Sequence, residues 1–245
     1  CQRYADRPCL ATRKPDADYQ AISYSQLWAR VLALADGLQK EGWVTRGDLV
    51  GICGFCSVDW AVADLACLCL GAVSVPLDSG ISELYFVHVL SETQLSCLIS
   101  DYQPLARLAP ALADCPSLKS VLAIRLPEEE RHRSLELSAR WGWLDHVESA
   151  GERATPAVPA GPEELFSVVY TSGSTGPPKG VMLTHGRWVQ TLQDALERAA
   201  VPRLTVGYLP LSHMAGRITL YATMMGGGSV SMVPRSDMST LLDDI

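Results

Sequence analysis

Phe166-Ser-Val-Val-Tyr-Thr-Ser-Gly-Ser-Thr-Gly-Pro-Pro-Lys-Gly-Val-Met-Leu-Thr184 is an apolar strand, a loop of hydroxyls and glycines closed by one lysine, and a second extended run. Phe166–Tyr170 has the short apolar make-up of a buried strand. In the loop, Gly173 and Gly176 lack a Cβ, so the backbone can turn sharply and approach a ligand. Successive N–H groups in such a turn point into one concavity and bind oxyanions. Ser172, Ser174 and Thr175 add hydroxyl donors, and Lys179 adds a compact positive charge suited to phosphate. Hydrogen bonds to charged groups contribute roughly 1.5–3 kcal/mol each, so several such donors suffice to hold a triphosphate tail. Spacing excludes a Walker A loop, whose Gly-Lys follows its first Gly at a longer interval and precedes Ser or Thr. Here Ser174 and Thr175 alone separate Gly173 from Gly176, Pro177-Pro178 precede Lys179, and Gly180 stands where that hydroxyl would be.

Working outward, the chain alternates. Helical spacing of Leu27, Val31, Leu34, Ala35 and Leu38 predicts a helix running to about Lys40 and ended by Gly42, with a turn at Arg46-Gly-Asp48. Leu49–Cys53 reads as a strand. Val58–Leu70 reads as a helix apolar on most sides, hence buried. Ala72–Pro76 is the next strand, with Pro76 expected at its end because proline cannot donate to a ladder. Helices at Ser82–Ser91 and Leu105–Leu112 alternate with strands at Leu95–Ser100 and Val121–Ile124. Beyond the loop follow a helix from Gly186 to Ala200, a strand Val206–Leu209, a helix His213–Met225 and a strand Val230–Val233. Residues 1–20 read as polar and irregular, and 127–162 break the rhythm with a charged run, Pro127–Arg133, and a Pro/Ala/Gly linker, 151–162. The expected class is α/β, with layered, mainly parallel sheets flanked by helices. The expected division is an αβ lobe over 1–150, the linker, and a second αβ lobe over 163–245 that carries the loop.

Bulk properties narrow the function. The 245 residues are 48% hydrophobic with a formal charge of −7, a packed globular composition with no basic stripe for nucleic acid. The longest apolar stretch, Trp60–Val75, is interrupted by Asp64 and Gly71 and is short for a membrane span. Eight cysteines include Cys53-Gly-Phe-Cys56, but Cys67 and Cys69 do not repeat that spacing, so small buried hydrophobes fit better than a zinc or redox site. Free cysteines suit a reducing compartment, and the cytoplasm is expected. The chain opens on Cys1. Its last helix start, Ser236-Asp-Met-Ser-Thr, is followed by little chain before Ile245, so a piece of a longer protein is expected.

Tyr170 to His185 resembles the phosphate-loop signature of the adenylate-forming superfamily, which includes acyl-CoA synthetases, luciferases, nonribosomal peptide adenylation domains and carboxylic acid reductases. Ile22–Leu27, Leu68–Asp78 and Leu209–Arg217 are similar to further segments of that family in order and spacing. The resemblance implies the N-terminal part of the large domain. It implies ATP-dependent activation of a carboxylic acid, fatty or aryl, to an acyl-adenylate with release of pyrophosphate, then transfer to a thiol of CoA or a phosphopantetheine carrier. By the match, Thr171, Ser172, Gly173, Ser174, Thr175, Gly176 and Lys179 hold the β- and γ-phosphates. Lys179 and His213 are the catalytic candidates, His213 in an acyl-pocket or gating role. Mg²⁺ is expected through phosphate oxygens, with no protein metal ligand named. Arg217 is either an ion-pair partner or a helix-face residue. Asp78 and His185 match the family's pattern in structural roles, and Asp194 and Glu197 form a solvated face. The ribose-binding aspartate, the adenine segment and the C-terminal lysine fall beyond Ile245, so these residues alone are expected not to turn over. Ser212–Tyr221 is similar to carboxylic acid reductase adenylation domains, whereas Val181–His185 is similar to fatty acyl-CoA synthetases; both branches stay open, as does a downstream carrier domain. The alternative of another class is a catalytically inactive nucleotide-binding module.

Overall fold

The computed structural model describes residues 2–13, 19–113, 115–124, 139–152, 160–171, 177–198 and 204–233. Helix boundaries follow caps that the sequence supplies. Helix α1 (Tyr24–Lys40) opens on a capping box, in which Ser23 Oγ accepts from the Gln26 N–H at 3.2 Å and Gln26 Oε1 accepts from the Ser23 N–H at 2.8 Å. Helix α2 (Val58–Leu70) opens on Ser57, which accepts from the Trp60 N–H at 3.0 Å, and closes at Gly71 with φ of 67°, a left-handed cap that glycine adopts without a Cβ clash. Helices α3 (Glu83–Thr93), α4 (Tyr102–Ala113), α5 (Leu144–Ala150), α6 (His185–Arg198) and α7 (Met214–Met225) follow.

The strands are β1 (Pro8–Arg13), β2 (Tyr19–Ser23), β3 (Leu49–Cys53), β4 (Val73–Leu77), β5 (Cys97–Asp101), β6 (Ser120–Ile124), β7 (Arg140–Trp143), β8 (Leu165–Thr171), β9 (Lys179–Thr184), β10 (Leu204–Gly207) and β11 (Ser229–Met232). They form a seven-stranded sheet, β7-β6-β5-β3-β4-β8-β9, parallel except for the antiparallel β8–β9 hairpin. A four-stranded sheet, β10-β11-β1-β2, lies beside it, with β1 and β2 antiparallel. The class is α/β with mostly parallel sheets flanked by helices.

Alternation along the strands feeds two cores. Cys97 and Ile99 of β5, with Leu122 and Ile124 of β6, pack on the side of α1 and α2. Leu98, Val121 and Ala123 pack on the side of α3 and α4. Each fully buried aliphatic or phenyl side chain contributes about 1.5–3 kcal/mol, so these two layers dominate the stability. On β8 a register shift between Leu165 and Ser167 resets the phase. Phe166 joins the first core, and Val168 and Tyr170 join the second. That reset aims Tyr170 at α3.

Several expectations change. Among the described positions, residues 1–20 are not irregular, because they hold β1 and the first two residues of β2. Cys9, Leu10 and Ala11 are buried, and Leu10 lies in register with Val230, a partner too distant in sequence for local pattern to reveal. The irregular region at 127–162 holds β7 and α5, while the charged run at 127–133 and linker residues 153–159 lie outside the described residues, as does the Ser236 helix start. Pro76 is not at the strand's end. It sits inside β4 in register with Ile52, and the β4–β8 register, at Ser74↔Ser167, does not reach it. The stretches 1–150 and 163–245 do not build separate sheets: β8 and β9 join β3–β7, and β1 and β2 join β10 and β11.

Candidate functional site

The carboxyl ends of β4 and β8 frame a cavity of about 500 Å³, the place where open α/β sheets bind ligands. One wall is Leu77 and Asp78 with the turn Gly80–Ser82, the opposite wall Tyr170 and Thr171, and Ser212–Met214 close the mouth. The turn is held from below by Arg107, whose guanidinium donates to the carbonyls of Ile81 at 2.7 Å and Ser79 at 3.0 Å. Asp78 ties its own wall to the mouth, its carboxylate accepting from the Gly80 N–H at 2.8 Å and from the Ser212 hydroxyl at 3.2 Å. Asp78 is thus a brace at the cavity.

Thr171 and His213 reach this cavity from different elements. His213 occupies the N-cap of α7 with extended backbone but makes no capping bond, and its exposed side chain has no hydrogen bond among the described residues. The segment before it is pinned by close contact: a Cβ on Gly216 would lie 2.4 Å from the Pro210 carbonyl oxygen. Thr171 and Lys179 are exposed cross-strand partners at the mouth of the β8–β9 hairpin, with the Thr171 hydroxyl 3.5 Å from the Lys179 carbonyl. Lys179 has no ion-pair partner among the described residues. Ser172, Gly173, Ser174, Thr175 and Gly176 lie outside the described residues. What is described is the loop's stem, two exposed donors held opposite each other beside a cavity.

Behind β8 lies a polar cluster that sequence reading caught only in part. Arg217 is an ion-pair partner rather than a helix-face residue: it is fully buried, and its Nη2 donates to both Asp64 oxygens at 2.9 and 2.8 Å. Its Nη1 donates to Ser167 Oγ at 2.9 Å and Nη2 also reaches Ser74 Oγ at 3.2 Å. The guanidinium lies 4.5 Å from the Phe166 ring centroid. Tyr221 donates its hydroxyl to Asp64, and burial followed by that carboxylate raises the Tyr221 pKa well above the ordinary phenol value. The available signal was an acid midway along an apolar helix and a lone arginine in another, since buried charges require partners.

His185 starts α6, ring to ring with Phe166 at 5.8 Å, and its Nε2 is buried without a hydrogen bond among the described residues. Burial lowers its pKa. Asp194 accepts from Gln190 at 2.8 Å on the outer part of α6. Cys53 and Cys56 are buried, with thiols pushed up to about 12 by burial, and Cys56 donates to the Leu209 carbonyl at 2.8 Å. Among the described residues no group of three potential metal-binding side chains comes together, and no helix is long and apolar enough to cross a membrane.

The sequence is 32% identical, over 99% of this chain, to the carboxylic acid reductase of Mycobacterium tuberculosis, of which it covers 23%. It is 31% identical over 97% of its length to long-chain-fatty-acid–CoA ligase 6 of Mus musculus, covering 36% of that protein. The chain therefore spans about a quarter to a third of the curated relatives it matches. The fold superposes with a TM-score of 0.85 and 28% identity on the A-PCP didomain of carboxylic acid reductase from Segniliparus rugosus in complex with AMP, covering 99% of this chain and 39% of that one. The AMP-binding enzyme family model matches residues 1–245, from the strands of both sheets to the glycine-rich hairpin, and the chain belongs to that family.

Proposed function

We propose that this chain supplies the phosphate grip and one wall of the acyl site of a carboxylate-activating, AMP-forming ligase. In the reaction, a carboxylate oxygen attacks the α-phosphorus of Mg·ATP, the bond to the β-phosphate oxygen breaks, and pyrophosphate leaves with the electron pair. A thiol sulfur then attacks the acyl carbon, the bond from that carbon to the phosphate oxygen breaks, and AMP leaves with the electron pair. The observation that carries this reading is the β8–β9 hairpin mouth, where Thr171 and Lys179 stand exposed across from each other beside the cavity that His213 lines.

Each residue has a physical task. Lys179 and the hydroxyl-rich loop, Ser172 to Gly176, place donors where charge develops on the departing pyrophosphate, which is positioning and electrostatic stabilisation rather than covalent catalysis. Thr171 anchors the loop's first end. His213 borders the carboxylate's approach, with both ring nitrogens available for a ligand. Mg²⁺ would come as part of the Mg·ATP substrate and would supply charge neutralisation there, with no residue of this chain assigned to hold it. The acceptor is CoA or a carrier-bound phosphopantetheine thiol. Similarity to acyl-CoA ligases supports the first and similarity to carboxylic acid reductases the second.

The test is carboxylate-dependent exchange of labelled pyrophosphate into ATP by the full-length protein, with octanoate and benzoate as fatty- and aryl-acid probes. Exchange that needs the carboxylate supports the reading. ATP binding without exchange against a broad panel of acids supports an inactive nucleotide-binding module instead.

A further inference from the structure

Helix α3 touches both ends of the glycine-rich loop. His88 Nε2 lies 2.9 Å from the carbonyl oxygen of Pro178, the residue immediately before Lys179. A carbonyl only accepts, so Nε2 carries the proton in this contact. One turn further along α3, Glu92 accepts the Tyr170 hydroxyl at 3.0 Å, and Tyr170 immediately precedes Thr171. The His88 ring stands edge-on to the Tyr170 ring, 6.4 Å between centroids, and Glu92 Oε1 lies 3.7 Å from His88 Nε2. Across the hairpin from Tyr170 is Gly180, where a Cβ would lie 3.2 Å from Tyr170 Cζ and 2.9 Å from Val168 Cγ1. The bare glycine lets the Tyr170 ring lie over β9 and reach α3.

These contacts are not the repair of a buried fault. The His88 and Glu92 side chains are 26% and 49% exposed, so water can replace either bond at small cost to stability. What water cannot replace is the geometry: both loop ends held to one helix by side chains spaced i and i+4. The same helix begins at the cavity, where Ser82 caps it and Tyr85 lines the wall. One rigid element thus spans the cavity and the loop stem.

We propose that His88 and Glu92 are positioning residues of the phosphate loop, clasping its two ends to α3 so that Thr171 and Lys179 face the β- and γ-phosphates of the nucleotide. The proposal rests on the phosphate-holding role of the loop stated above. The clasp acts on the part of the nucleotide that ATP has and AMP lacks.

The experiment compares dissociation constants for Mg·ATP and for AMP in the full-length protein by titration calorimetry, together with Tm. His88→Leu is expected to weaken Mg·ATP about 2- to 13-fold, the worth of one net hydrogen bond, and to leave AMP binding and Tm unchanged. His88→Gln, which returns an N–H donor at similar reach, is expected to recover most of the loss. Glu92→Ala should behave like His88→Leu, and Glu92→Gln, which still accepts from Tyr170, like wild type. If His88→Leu does not fold, the Glu92→Ala and Glu92→Gln pair carries the same test. Equal weakening of ATP and AMP, or no rescue by the conservative variants, overturns the clasp. Lys179→Ala separates this failure from failure of the functional reading. If Lys179→Ala loses Mg·ATP selectively while His88→Leu and Glu92→Ala do not, only the clasp falls. If Lys179→Ala also leaves Mg·ATP binding intact, the loop reading falls, and the clasp with it.

Discussion

Strand β8 separates two polar clusters that use the same chemistry in opposite ways. Behind it, Arg217, Asp64 and Tyr221 are buried and bonded to one another and to Ser74 and Ser167, leaving only Arg217 Nε without a partner among the described residues. At its end, Thr171, Lys179 and His213 are exposed, and neither Lys179 nor His213 has a side-chain partner there. A charge taken out of water must find its counter-charge inside the fold. A charge left in water keeps its capacity to bond until a ligand displaces that water. The closed cluster therefore belongs to stability, and the open one is free for the function proposed above, although each centres on one cation.

The largest break in that contrast comes from removing one partner of the closed cluster. Arg217→Leu strands Asp64 as an uncompensated buried carboxylate and should cost about 3–5 kcal/mol of folding stability, read from urea denaturation. The double variant Arg217→Leu with Asp64→Leu leaves no charge behind and should recover most of that loss. A single variant within about 0.5 kcal/mol of wild type would mean that the pair is not desolvated in solution.

The open cluster should answer in the other currency of measurement, rate. Lys179→Ala removes a donor at developing charge and should slow pyrophosphate exchange by the equivalent of roughly 2.7–4 kcal/mol, with stability changed by no more than about 0.5 kcal/mol. A drop in Tm without a drop in rate would reverse the assignment of the two clusters. His213→Ala should have the smaller effect, about 0.5–1.5 kcal/mol, appearing in the KM for the carboxylate with Mg·ATP binding intact.

The sequence makes one cluster legible and leaves the other nearly hidden, for a physical reason. The residues proposed to hold the phosphates sit in a contiguous run with its own chemistry, so Thr171, Lys179 and the loop between them stand out, and His213 follows from the similarity of Leu209–Arg217 to a known family segment. Asp64, Ser74, Ser167 and Arg217 come from four separate elements, α2, β4, β8 and α7, and only the fold brings them together. The same holds for the elements themselves. The alternation of Leu49–Ile124 reads locally because each strand and the helix after it are neighbours in the chain. β1 reads as irregular because Leu10 pairs with Val230, and its burial depends on chain more than two hundred residues away. The clasp of His88 and Glu92 was visible only as an i, i+4 pair, with nothing in the sequence to say that Pro178 and Tyr170 lie above it.

His185 sits between the two kinds of cluster and sharpens the rule with the smallest expected effect. It is partly buried, packed edge-on against Phe166, and its Nε2 has no partner among the described residues. Burial lowers its pKa below the ordinary 6.5; the nearby Glu164 opposes the shift and Arg46 adds to it. The sign follows from linkage. Above pH of about 6.5 the ring is neutral in both folded and unfolded chains, so it adds no pH dependence. As pH falls below that value the unfolded chain takes up a proton that the folded ring refuses until lower pH, so stability declines. The urea midpoint should therefore fall between pH 7.5 and 5.5. His185→Phe, which keeps an aromatic ring against Phe166 and cannot bind a proton, should fall less over the same range. Parallel curves for the two proteins would show that the fold supplies His185 with a partner or with water, and that a half-buried imidazole here behaves as one of the open cluster.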